Sequence, residues 1–191
     1  MMRCLRKYIF DIFLISIFSP FILTALTLVT LLLVLFDGRP IIFKSHRLGT
    51  NQKVFTMYKF RSMVLDAPIV ETDLMGIPSS YITKFGGFLR TTSLDELPQL
   101  FNVITGQMSL VGPRPALPSQ FKLNKIRLER GTSNYKPGIT GLTQVKGRDN
   151  LSLQDTIFFD HLYCSRHSLV YDLLIIISTF SKVLCRSNIN H

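Results

Sequence analysis

Polar and apolar positions divide the chain into one long apolar run and a mixed remainder. From Tyr8 to Phe36 the only charged residue is Asp11. About 20 apolar residues cross a bilayer as a helix, so the run is long enough to span. Ser19-Pro20 falls inside it, and proline breaks or kinks a helix. Arg3, Arg6 and Lys7 precede the run; Arg39, Lys44 and Arg47 follow it. Beyond Gly38, 19 Lys+Arg stand against 10 Asp+Glu. Basic flanks favour the cytoplasmic side, and here both flanks are basic. Two topologies stay open on this pattern: a spanning helix, or a helix that dips in at Ser19-Pro20 and returns. No small-residue cleavage site follows the run, which argues against a secretory signal.

In the remainder, "PIIFKSHRLGTNQKVFTMYKFRSM" predicts two strands around a Gly-Thr-Asn-Gln turn. Two-residue alternation puts Phe55, Met57, Lys59 and Arg61 on one face, as a sheet rim or as a cationic shelf for a phosphate. Residues 66–80 contain three acids and predict an irregular loop. In "YITKFGGFLRTTS", Lys84 and Arg90 flank a Gly-Gly break. Leu97, Leu100, Phe101 and Ile104 recur at helical spacing. "FKLNKIRLERG" (121–131) predicts a helix with mixed basic and apolar faces. The glycines of "KPGITGLTQVKGR" (136–148), a segment ending in Arg148, predict a loop whose backbone approaches a ligand or another element closely. "LVYDLLIIISTFSKVL" (169–184) predicts an apolar helix too short to span, either core or interfacial.

Asp95 and Glu96 are adjacent in a chain that has only 12 Asp+Glu against 22 Lys+Arg. Ser93-Leu94-Asp95-Glu96 fits a capping box, with a hydroxyl at the N-cap and Glu three residues on. Pro98 would then fall inside the helix, where its missing N–H costs a bond. A start nearer Asp95 avoids this and leaves both carboxylates at the tip. Downstream, Pro113-Arg114-Pro115 fixes the backbone on both sides of one arginine. Such a residue is either an exposed turn arginine or a phosphate clamp.

Composition narrows the classes. The net charge of +10 favours anionic partners, yet no helix-turn-helix or aromatic RNA-binding signature supports nucleic acid. Cys4, Cys164 and Cys185 are odd in number and far apart, which fits a reducing compartment. Zinc spacing, a P-loop and G-x-G-x-x-G are all missing. At 191 residues the chain is one domain, or one domain plus an anchor. A basic membrane-anchored scaffold without catalysis is the competing reading.

"YKFRSM", "TTSLDELPQLFNV", "SLVGPRP" and "KPGITGLTQVKGR" follow one another after an apolar N-terminal segment. In this the chain resembles the bacterial sugar transferases, the small monotopic phosphoglycosyl transferases that load a sugar phosphate onto a polyprenyl phosphate. The resemblance implies an α+β fold. Residues 1–38 would be a re-entrant membrane helix hairpin broken at Ser19-Pro20. Residues 39–191 would be a mostly helical catalytic domain with a short β-hairpin and interfacial helices, on the cytoplasmic face of a bacterial inner membrane. It further implies Asp95 as the nucleophile toward a UDP-sugar, with release of UMP, and Glu96 as its partner in holding Mg²⁺ or handling a proton. Lys59, Arg61, Arg90, Arg114 and Arg148 would bind phosphate or substrate, and polyprenyl phosphate would accept the sugar phosphate at the phospholipid surface. The chain departs from the family pattern at Asn51-Gln52, where a glycine turn is usual, at Leu142, commonly Trp, and in its loose C-terminal "DHLYCSRHSLVYD".

Overall fold

The computed structural model describes residues 2–67, 79–147 and 151–184. Most of the predicted acidic loop, 68–78, lies outside the described residues, as does Arg148.

Helix α1 (Met2–Phe36) is continuous through Pro20. The break expected at Ser19-Pro20 is therefore not a break in helical structure. Pro20 cannot donate to the carbonyl of Ser16, but the Ser19 hydroxyl does, at 2.8 Å. The hydroxyl thus takes the place of the missing N–H at that carbonyl. Both ends of α1 touch the same body. Near its start, Lys7 pairs with Asp172 at 2.6 Å, Tyr8 donates to the Ile104 carbonyl at 2.8 Å, and buried Asp11 accepts from Ser109 at 2.6 Å. Near its end, Val29 and Leu33 pack with Phe60 and Leu89. Much of the remaining α1 surface is exposed and apolar, including Phe13, Phe18, Phe21, Leu28 and Leu31.

Strands β1 (Ile42–Leu48) and β2 (Val54–Phe60) form the expected antiparallel hairpin, with Leu48 opposite Val54. Phe55 and Met57 point into a core with Val103 and Met108. On the outer edge of β2, Asn102 imitates a strand. Its Nδ2 donates to the Thr56 carbonyl (2.8 Å) and its Oδ1 accepts from Tyr58 N–H (3.2 Å). Asn102 is fully buried, as an amide with this many partners can be.

Helix α2 (Lys84–Thr92) runs straight through Gly86-Gly87, so the Gly-Gly break is overturned. Gly86 serves contact instead: a Cβ there would sit 2.1 Å from the Ser62 carbonyl oxygen. Helix α3 is short (Gln99–Ile104). Strand β3 (Ser109–Val111) pairs in parallel with β4 (Gly138–Thr140), making a second small sheet. The glycine-rich stretch thus becomes a strand followed by helix α5 (Leu142–Lys146). Its predicted close approach holds, since a Cβ on Gly138 would lie 2.1 Å from Gly112 N.

Helix α4 (Phe121–Glu129) packs on α6 (Leu153–Arg166), and α7 (Leu169–Leu184) closes the body. Ile175 joins a core with Val111, Leu142 and Tyr163, while Val170, Leu174, Ile177 and Phe180 stay exposed. The last helix is both core and apolar surface.

Candidate functional site

Asp95 and Glu96 lie in a short 3-10 turn (Leu94–Glu96) between α2 and α3. The capping box is not what forms it. Ser93 is left-handed (φ 57°) and ends α2, its N–H bonding the Arg90 carbonyl at 3.2 Å. Its side chain makes no cap hydrogen bond. Pro98 precedes α3 rather than sitting within it, which removes the conflict over its missing N–H.

The turn presses both carboxylates inward, to 5% exposure for Asp95 and 9% for Glu96. Lys59 reaches them from β2, with Nζ 2.7 Å from Glu96 Oε1 and 3.6 Å from Asp95 Oδ2. Burying two adjacent carboxylates is expensive unless a cation shares the site. Lys59 supplies that cation.

The other predicted cations divide. Arg61 is buried and turned to the end of α1, where it donates to the carbonyls of Asp37 and, at 3.0 Å, Gly38. A cation suits the C-terminal end of a helix dipole, so here Arg61 seats the end of α1. Arg90 is half-buried on α2, one turn before the acidic pair, and its Nη1 lies 3.8 Å from the Met63 sulfur. Arg114 is held between two buried prolines, and its carbonyl accepts from Arg127 Nη1 at 2.9 Å.

Two features escaped the sequence reading. Arg47 lies opposite Phe55 in the hairpin register and so shares the face that carries Lys59. Continuing the strand alternation into β1 would have found it. Burial and the neighbouring Arg114 push its guanidinium down to about 10, while Glu96 pulls the other way. The second is the buried pair of Arg127 with Asp160, whose Oδ2 lies 2.9 Å from Nε and 2.5 Å from Nη2. Burial raises the Asp160 carboxyl above its ordinary range against the pull of Arg127. No sequence signal separates Arg127 from the solvent-facing cations of α4.

Among the described residues no three or more His, Cys, Asp or Glu converge as a metal cage. Two adjacent carboxylates do fit Mg²⁺, which usually takes one or two carboxylates and fills its shell with water and substrate phosphates.

The site is thus a buried acid pair faced by a lysine, on a body that carries one helix long and apolar enough to cross a membrane. The chain belongs to the bacterial sugar transferase family, whose model matches residues 2–186. It is 42% identical over 160 residues to the galactosyl transferase CpsE of Streptococcus agalactiae, covering 78% of this chain and 35% of that protein. It is 39% identical over 171 residues to an undecaprenyl-phosphate galactose phosphotransferase of Salmonella typhimurium, covering 78% and 34%. The chain therefore spans about a third of the length of those relatives. Against the uncharacterized sugar transferase EpsL of Bacillus subtilis it is 39% identical over 190 residues, covering 96% and 89%.

Proposed function

We propose that the chain transfers a sugar 1-phosphate from a UDP-sugar to a polyprenyl phosphate such as undecaprenyl phosphate, in two steps through Asp95. The observation that carries this reading is the buried Asp95-Glu96 pair beside Lys59. The name of the Salmonella relative, an undecaprenyl-phosphate galactose phosphotransferase, supports the acceptor.

In the first step an Asp95 carboxylate oxygen attacks the β-phosphorus of the donor. The bond from that phosphorus to the bridging oxygen breaks, UMP leaves, and a phosphosugar remains on Asp95. In the second step an oxygen of polyprenyl phosphate attacks the same phosphorus, which returns the carboxylate and forms the lipid diphosphate sugar. A carboxylate is a weak nucleophile, but its acyl phosphate is reactive enough to turn over. Lys59 neutralises the acid pair and orients it. In this reading Arg90 and Arg114 take the phosphate charge, and stabilising that charge is the main task in phosphoryl transfer. Mg²⁺, held by Asp95 and Glu96 with the substrate's phosphates, would supply further charge neutralisation.

The same reading puts α1 in the membrane as a re-entrant element. A helix that crossed straight through could not lay both Lys7 and Leu33 against one body on one side. Their contacts with one body support a helix that enters and returns near Ser19-Pro20, and the basic flanks support a site on the cytoplasmic face.

The test is UMP release from a panel of UDP-sugars with no acceptor present, followed by mass spectrometry of the trapped enzyme. A phosphosugar on the peptide containing Asp95 is expected, and Asp95→Asn should fold and give neither product nor adduct. Turnover by Asp95→Asn, or an adduct on another residue, would refute the mechanism.

A further inference from the structure

Asn102 does more than close the edge of β2. Both N–H donors of its amide are used, one on the Thr56 carbonyl and one on Gln107 Oε1, each at 2.8 Å. Its Oδ1 accepts from Tyr58 N–H at 3.2 Å. Edge groups of a strand can be left to water or guarded by charge; here a side chain with no exposed surface takes them. Burying an amide is costly unless its partners are in place, so this arrangement is specified.

The residues on either side of Asn102 hold the same strand. Phe101 sets its ring edge-on to Tyr58, with centroids 5.7 Å apart at 73°. Val103 packs with Phe55 and Met57, which alternate with Tyr58 and so lie on the opposite face of β2. Three consecutive residues of α3 thus grip the strand on one face, along its edge and on the other face. The Thr56 carbonyl and Tyr58 N–H flank Met57, and the amide spans them in one register. A slip of β2 by one residue would turn its side chains to the opposite face, Lys59 among them.

The consequence lies at the other end of α3. Leu97 and Pro98 alone separate the Asp95-Glu96 turn from α3. Their carbonyls accept from Leu100 N–H at 3.0 Å and Phe101 N–H at 3.1 Å, so acid pair and Asn102 belong to one unit. Lys59, the residue after Tyr58, belongs to the strand that this unit grips. Its Nζ lies 2.7 Å from Glu96 and 3.6 Å from Asp95. A lysine head rides on a flexible stem, and its aim depends on where the strand holds its backbone.

We propose that Asn102 is a positioning residue for the acid pair. By fixing β2 to α3 it sets Lys59 against both carboxylates, and Gln107 supports it by holding the second N–H of the amide. This rests on the proposed role of Asp95 as nucleophile. Asn102 acts through Lys59, whose charge offsets the repulsion between the carboxylates and orients the attacking oxygen. Displacing Lys59 therefore slows the chemical step more than it weakens donor binding.

The experiment uses the full chain in lipid nanodiscs. A water-soluble carbodiimide joins a lysine amine to a carboxylate that it touches, and mass spectrometry measures the link from Lys59 to Glu96 or Asp95. In separate samples, UMP release from the most active UDP-sugar is resolved into kcat and KM. Wild type should form the link. Asn102→Ala should lower the link yield by about threefold and kcat by about tenfold or more, because small misplacements of reacting groups are costly. Its KM for the donor should stay within about threefold of wild type. If Asn102→Ala shows no cooperative thermal melt, Gln107→Ala carries the test, because Gln107 is exposed and its loss leaves the other two bonds of the amide. There a drop of about twofold in the link and about threefold in kcat is expected, with a melting temperature close to wild type. A folded variant whose link is undiminished, or whose link falls while kcat holds, would overturn the positioning role, as would a wild type in which Lys59 forms no link. A wild type that forms the link but releases UMP from no UDP-sugar would overturn the transferase reading, and the link alone then decides whether Asn102 places Lys59.

Discussion

Replacing Arg127 with Met should be among the most damaging single changes outside the acid pair. Arg127 joins three parts of the body: α4, which carries it, α6 through Asp160, and the Pro-Arg-Pro turn through the Arg114 carbonyl. Methionine keeps most of the stem's packing and removes the charge and all three hydrogen bonds. Asp160, at 2% exposure, is then a buried carboxylate without its cation. Breaking a buried pair from one side costs about 3–5 kcal/mol. For a chain of this size each kcal/mol is worth about 2–4 °C, so the melting temperature should fall by roughly 6–20 °C. The loss also has a pH signature. Burial already raises the Asp160 carboxyl, and removing Arg127 raises it further. A raised folded-state value means stability present below the unfolded carboxylate range, near 4, and lost as pH climbs above it. The deficit should therefore be smaller at pH 5 than at pH 8. Thermal melts in nanodiscs at both pH values provide the assay. The double variant Arg127→Met/Asp160→Leu should recover most of the loss, since an apolar pair often replaces a buried ion pair at little cost. A single variant within about 1 kcal/mol of wild type, or a double variant worse than the single, would refute the reasoning.

Three further outcomes can be checked. Arg114→Ala should lose most turnover, on the order of 2–4 kcal/mol in the transition state, while melting close to wild type; ordinary kinetics would make Arg114 only part of a turn. Gly138→Ala should prevent folding, because its methyl would lie 2.1 Å from Gly112 N and 2.3 Å from the Thr140 carbonyl; a soluble, active variant would contradict the close crossing of β3 and β4. Single cysteines near Arg3 and near Lys44, in a cysteine-free background, should both be labelled only from the cytoplasmic side, and labelling of either from outside intact cells would end the re-entrant model.

Regular periodicity made much of this fold legible. The hairpin and α7 appear where alternation and apolar helical spacing put them. Local signals failed where tertiary contact overrode them. Ser93 had the right neighbours for a capping box, but it is needed in the left-handed region to turn the chain between α2 and α3. Gly86-Gly87 resembled a breaker, yet the helix tolerates both so that Ser62 can approach. In α3 the spacing of Leu97, Leu100, Phe101 and Ile104 found a helix but not its buried side. Phe101 and Ile104 are exposed, while Gln99, Asn102 and Val103 face inward. The acid pair and Lys59 could be named from motif order, whereas the Arg127–Asp160 pair depends on a contact 33 residues apart that no local pattern records.

The link between Lys7 and Asp172 joins residues 165 positions apart, and it constrains the order in which the protein can be made. Lys7 is made 165 residues before the carboxylate it pairs with, so α1 lacks that partner until α7 has been made. Asp172 is fully buried and also receives the Tyr163 hydroxyl at 2.8 Å, which in turn meets the Val111 carbonyl at 3.1 Å. Helix α7 thus fastens α1 to β3. A nascent chain halted before residue 172 would hold α1 and the acid pair with no latch between them.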